Sequence, residues 1–147
     1  MKGSNADYEK SNKLVSVALN RFSKKEYESL LSDSNRQKDA QSLINYLCGK
    51  FKIPNAKVIV TNRPQPHSTG YNGNLTRKTL GTYEVFSKTI TIYNVTAIKK
   101  QTISIKVFAE TLLHEFMHHY DECYLNINSM HTKGFYMRIS DLQKKLS

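Results

Sequence analysis

An α+β fold is what this sequence predicts, on three observations. Apolar residues recur at helical spacing through the first third of the chain. A β-branched run and an alternating apolar–polar strand occupy the middle. A strongly amphipathic helix and one more helical stretch follow. The 147 residues suit one domain, 1–147, able to bury a core without staples. A hydrophobic share of 39% and a charged share of 23% are ordinary for a globular protein.

Taken in order, residues 1–6 are polar and read as frayed. Leu14, Val15, Ala18 and Leu19 have helical spacing, which predicts a first helix over Asp7–Phe22. Ser23 with Glu26 makes a capping-box pattern and restarts a short helix to Leu31. Ser32–Asn35 breaks it. Arg36–Lys50 is the next helix, with Leu43, Ile44 and Leu47 inward, Gly49 near its end and Pro54 confirming the stop. The period then changes. Lys57–Thr61 is a β-branched strand, Asn62–Asn74 a long loop with two prolines and two glycines, and Thr79–Phe86 and Lys88–Asn94 two strands in hairpin succession. In the last of these, Ile90 and Ile92 alternate with Thr89, Thr91 and Tyr93, so one face is apolar. Helices over Ser104–Tyr124 and His131–Leu146 flank a turn at Asn126–Met130. The result is a small three-stranded sheet packed on the penultimate helix.

That helix carries the chemistry. Thr111–His118 contains His114-Glu115-x-x-His118, a pattern expected by chance roughly 0.008 times in such a chain. Residues four apart on a helix lie ~6 Å along the axis on one face. Two imidazoles can thus point at one ion, with Glu115 beside them as a general base. Val107, Thr111, His114, His118 and Asp121 share a narrow arc, and Ile105, Phe108, Leu112, Phe116 and Tyr120 lie opposite. The apolar face packs, and the histidine face lines a cleft. The plain rival is a pair of histidines on a solvated face. His119 is off that arc and reads as a packed or hydrogen-bonded ring, and His67 as an exposed loop residue.

A catalytic zinc commonly takes three protein ligands and keeps one position open. His131 can be folded back to the pair by the turn at Asn126–Met130. Asp121 and Glu122 compete with it. Glu122 points away from the pair, and Asp121 lies ~10 Å of rise from His114, better placed to accept from an imidazole N–H than to bind the ion.

The formal net charge of +10 favours polyanionic partners such as nucleic acid. The 22 Lys and Arg are scattered, with pairs at Lys24-Lys25, Arg77-Lys78, Lys99-Lys100 and Lys144-Lys145 but no compact basic motif, so a merely soluble basic surface is an equal reading. No run of apolar residues is long enough to span a membrane, and no secretory signal is expected. Cys48 and Cys123 lack metal-site spacing and read as buried thiols of a reducing, cytoplasmic compartment.

From about residue 40 to 142 the chain resembles a SprT-like (Spartan-type) zinc metallopeptidase domain, a compact relative of the minigluzincins. The resemblance rests on Gly81-Thr82-Tyr83 before the strand ending Ile90-Thr91-Ile92-Tyr93-Asn94, on Leu112–His118, and on His131-Thr132-Lys133-Gly134-Phe135. The family usually has His-Gly-x-x-Phe at the last place. Here the His-to-Phe spacing is kept, Thr132 replaces the glycine, and a glycine stands at 134. Residues 1–35 form a helical extension outside the resemblance. The family implies a compact zincin-like fold and a peptidase with one Zn2+ ion, often acting on DNA-associated protein.

The expected activity is therefore metallopeptidase hydrolysis, with His114, His118 and His131 holding zinc, Glu115 as base and Asp121 in support. Tyr136 and Arg138 are candidate donors to the oxyanion. The strand Thr89–Asn94 is a candidate for receiving substrate by edge pairing. A monomer, with peptide or protein substrate and DNA as partners, is expected. The alternative is a zinc-stabilised basic nucleic-acid-binding module without turnover, which does not need Glu115.

Overall fold

The computed structural model describes residues 5–69 and 75–147. Among them the chain forms α1 (Asn5–Lys13), α2 (Lys25–Leu31), α3 (Arg36–Phe51), β1 (Lys57–Pro64), β2 (His67–Thr69), β3 (Leu75–Lys78), β4 (Gly81–Glu84), β5 (Thr89–Val95), α4 (Ile105–Tyr120) and α5 (Lys133–Leu146). A single π-helical turn, Asp121–Leu125, continues α4. The α+β class holds. No helix among the described residues is long and apolar enough to cross a membrane.

The core lies between α3, α4 and one face of the sheet. Leu43, Ile44 and Leu47 of α3 are wholly buried, as are Phe108, Leu112 and Phe116 of α4 and Ile90 and Ile92 of β5. The alternation of β5 therefore does face the helix layer as its sequence predicts. Phe51 at the end of α3 ties the layers together, with its ring 4.9 Å from Tyr120 and 6.3 Å from Phe116. Asn35 caps α3 by accepting from Lys38 N–H. The helix ends at Lys52, which takes the left-handed conformation (φ 57°), rather than at Gly49.

The sheet departs from expectation in one functional respect. Its order is β1-β5-β4, with β1–β5 parallel and β4–β5 antiparallel. β5 is the central strand, so its ladder groups are taken on both sides and it has no edge for an incoming chain. Among the described residues β4 pairs with β5 alone, which makes it an edge strand, and it packs against α4. Part of the expected loop 62–74 is strand: β1 runs on to Pro64, and β2 pairs antiparallel with β3 as a separate ribbon. Residues 70–74 of that loop, and 1–4 of the expected frayed start, lie outside the described residues.

The first helix stops at Lys13, nine residues short of the predicted end. Side chains far along the chain claim the backbone beyond it. The Arg138 guanidinium binds the carbonyls of Ser11 and Leu14, Asp141 accepts from Val17 N–H, and the Tyr120 hydroxyl accepts from Ala18 N–H. Helical spacing cannot compete once those groups are satisfied elsewhere. The predicted capping box is only half made. Ser23 Oγ accepts from Lys25 N–H, but Ser23 N–H goes to the Tyr46 hydroxyl and not to Glu26.

β4 sits against α4 through Gly81. A Cβ added there would stand 2.9 Å from Thr111 Cγ2, 3.0 Å from the Thr91 carbonyl oxygen and 3.2 Å from Glu115 Cγ. The Thr91 backbone oxygen belongs to β5 and cannot swing away, so Gly81→Ala must shift β4 against both β5 and α4. We expect it to lower unfolding free energy by about 1–3 kcal/mol in urea titration. Wild-type stability in that variant would contradict this close approach.

Candidate metal centre

Ser104 caps the start of α4, its side chain accepting from Val107 N–H. Its apolar stripe fixes its rotation, and the opposite stripe faces a cleft of about 580 Å³ lined in part by Lys78, Leu80, Gly81, Thr111, His114, Glu115, His118 and His131. After the π-turn, Asn126 takes the left-handed conformation (φ 55°) and the chain reverses. Thr132 then caps α5 by accepting from Phe135 N–H. His131 thus precedes the helix instead of opening it, and its ring reaches back over α4.

Three histidines meet there. His131 Nε2 lies 3.2 Å from His114 Nε2 and 3.0 Å from His118 Nε2. One ligand atom from each lies within 4.8 Å of the others, close enough to bind a metal ion. Tetrahedral ligands held at ~2.0–2.1 Å from an ion stand about 3.3 Å apart, so little movement separates this arrangement from a coordinated one. The buried Phe135 ring underlies all three imidazoles, with centroids 5.1, 4.7 and 5.2 Å from His114, His118 and His131. That gives a physical reason for the His-to-Phe spacing seen in the sequence.

The electrostatics suit a cation. Burial, then the neighbouring His131, pulls the His114 pKa down to about 4. Burial, then His114 and His131, pulls His118 down to about 3. Both rings are therefore neutral lone-pair donors at neutral pH. Glu115 faces the same cleft, is only 7% exposed, and is pushed up to about 7 by burial alone.

The other sequence candidates fall in different places. Tyr136 is 50% exposed, its ring centroid 6.0 Å from His114 and 5.9 Å from His131. Arg138 is a correction: it is fully buried behind the cleft, its guanidinium committed to Asp121 Oδ2 at 2.9 Å and to backbone of the N-terminal segment. It has no access to a substrate oxyanion. Asp121 is also fully buried and reaches His118 only through Ser129, which donates to Asp121 Oδ2 at 2.8 Å and lies 2.8 Å from His118 Nδ1. Ser129 went unnoticed in the sequence, where a lone serine in a turn carries no signal. His119 is buried on another face between the Pro54 carbonyl (2.7 Å) and the Tyr83 hydroxyl (2.8 Å). His67 is exposed on β2. Cys48 and Cys123 are both free thiols, the first buried and the second half-buried. No family model, curated protein or solved structure matches the chain.

Proposed function

We propose that this chain is a zinc-dependent peptidase. The observation that carries the reading is the convergence of three imidazole nitrogens, two within 3.2 Å of the third, with a buried carboxylate in the same open cleft. Zinc, when bound, supplies a Lewis acid that makes water nucleophilic near neutral pH and stabilises negative charge on a carbonyl oxygen.

The protein's own residues do the rest. His114, His118 and His131 would hold the ion, with their Nε2 atoms already converging. Glu115 accepts the proton of the water that adds to the scissile carbonyl carbon, then delivers it to the amine nitrogen as the C–N bond breaks. Tyr136, whose ring lies beside His114 and His131, is the candidate donor to the oxyanion through its hydroxyl. An extended peptide enters along the outer edge of β4, whose Gly81 lines the cleft beside Glu115. Two free thiols suit a reducing, cytoplasmic setting. The direct experiment is hydrolysis of casein by the zinc-loaded protein.

The charge of +10 supports a second reading, a zinc-stabilised nucleic-acid-binding module without turnover, and equally a peptidase that works on DNA-associated protein. Both predict sequence-independent DNA binding, roughly micromolar, weakening steeply with salt. Fluorescence anisotropy with an arbitrary duplex checks this, and no binding at low salt would remove DNA from the reading. Removing Glu115 separates the two: it abolishes the peptidase and leaves the binding module intact.

A further inference from the structure

We propose that Ser129 is a positioning residue for His118, held in place by Ser11 and Leu14 through the buried Asp121–Arg138 pair. The inference rests on the metal-site reading above and assigns a role to the N-terminal segment.

Ser129 has one hydroxyl proton and donates it to Asp121 Oδ2. Its oxygen must then accept from His118 Nδ1–H at 2.8 Å. That fixes the tautomer of His118. Nδ1 carries the proton, and Nε2 is left as a bare lone pair aimed toward His131 Nε2. A ligand imidazole oriented in this way by its other nitrogen binds metal more tightly.

The support continues backwards into the N-terminal segment. Asp121 Oδ2 also accepts from Arg138 Nη2 at 2.9 Å, and both side chains are wholly buried. Arg138 is anchored in turn by Ser11 and Leu14, whose carbonyls accept from Nη1 at 2.6 Å each, and by Ser11 Oγ at 3.1 Å from Nη2. Ser11 Oγ also lies 2.7 Å from the hydroxyl of Thr132, the residue after His131. The contact is as close as it is because position 134 is glycine: a Cβ there would stand 2.0 Å from the Ser11 carbonyl oxygen. One continuous path thus runs from α1 through a buried ion pair to a ligand ring.

The test is cobalt(II) titration of the full chain, reading affinity and the visible bands that report coordination geometry. Ser129→Ala should weaken cobalt binding about 10- to 100-fold and change the bands, while Ser129→Thr, which keeps the hydroxyl, should stay near wild type. Ser11→Ala should weaken binding by a smaller factor and add little on top of Ser129→Ala, because the two act along one path. Melting of the metal-free forms in parallel separates loss of fold from loss of the site. Wild-type affinity and spectrum in Ser129→Ala would overturn the positioning role. Full additivity of Ser11→Ala with Ser129→Ala would overturn the N-terminal link. Absence of cobalt binding by the wild-type protein would overturn the metal reading itself, and this proposal with it.

Discussion

His131→Ala should leave the fold in place, lose most of the bound zinc and abolish turnover. The ring is exposed and precedes α5, whose cap is Thr132, so its removal opens no core cavity and costs the helix nothing. What it removes is one of three converging nitrogens. Structural zinc sites with four ligands bind with roughly 10–16 kcal/mol, which puts one ligand on the order of 3 kcal/mol, about a hundredfold in affinity. Asp121→Ala should behave differently. It would strand the buried Arg138 charge and cost about 3–5 kcal/mol of stability, an effect on folding before it is an effect on metal. Elemental analysis after dialysis against a weak chelator reads the first outcome, and urea titration the second. Full zinc in a folded His131→Ala protein would remove that histidine from the ligand set.

Glu115→Gln should keep the fold and a full complement of zinc and lose turnover by about 10²- to 10⁴-fold. The amide has the shape of the acid and fills the same place between Gly81 and the histidines, but it cannot take a proton. The pH dependence carries a sign. Burial raises the carboxyl to about 7, and a cation on the neighbouring imidazoles can only lower it. Since the base must be ionised, wild-type kcat/KM should fall as pH drops, with its acid limb at or below about pH 7. Any residual activity of Glu115→Gln should lack that limb. Wild-type rates in the variant would refute the assignment of the base.

Much of this arrangement could be read from residue order alone, because it follows from local periodicity. The apolar stripe of Phe108, Leu112, Phe116 and Tyr120 fixed the rotation of α4 and so put His114 and His118 together on the other side. The alternation in β5 gave its buried face. What escaped sequence reasoning depends on partners distant in the chain. α1 ends early because Arg138, Asp141 and Tyr120, all more than 100 residues away, take the backbone that would have continued it. β5 became central because β1 pairs with it in parallel, a choice that neither strand's composition records. Arg138 looked available because a lone arginine on a terminal helix usually lies at the surface. Here it is a buried cation with an acidic partner 17 positions back. Gly134 has no visible purpose until Ser11 is found lying on it.

Metal-dependent peptide hydrolysis is tested by casein cleavage with the wild-type protein before chelation, after it, and after zinc is restored. Cleavage should disappear with the metal and return when about one equivalent of zinc per chain is added back. No cleavage by the zinc-loaded protein, or cleavage that persists after complete metal removal, would contradict it.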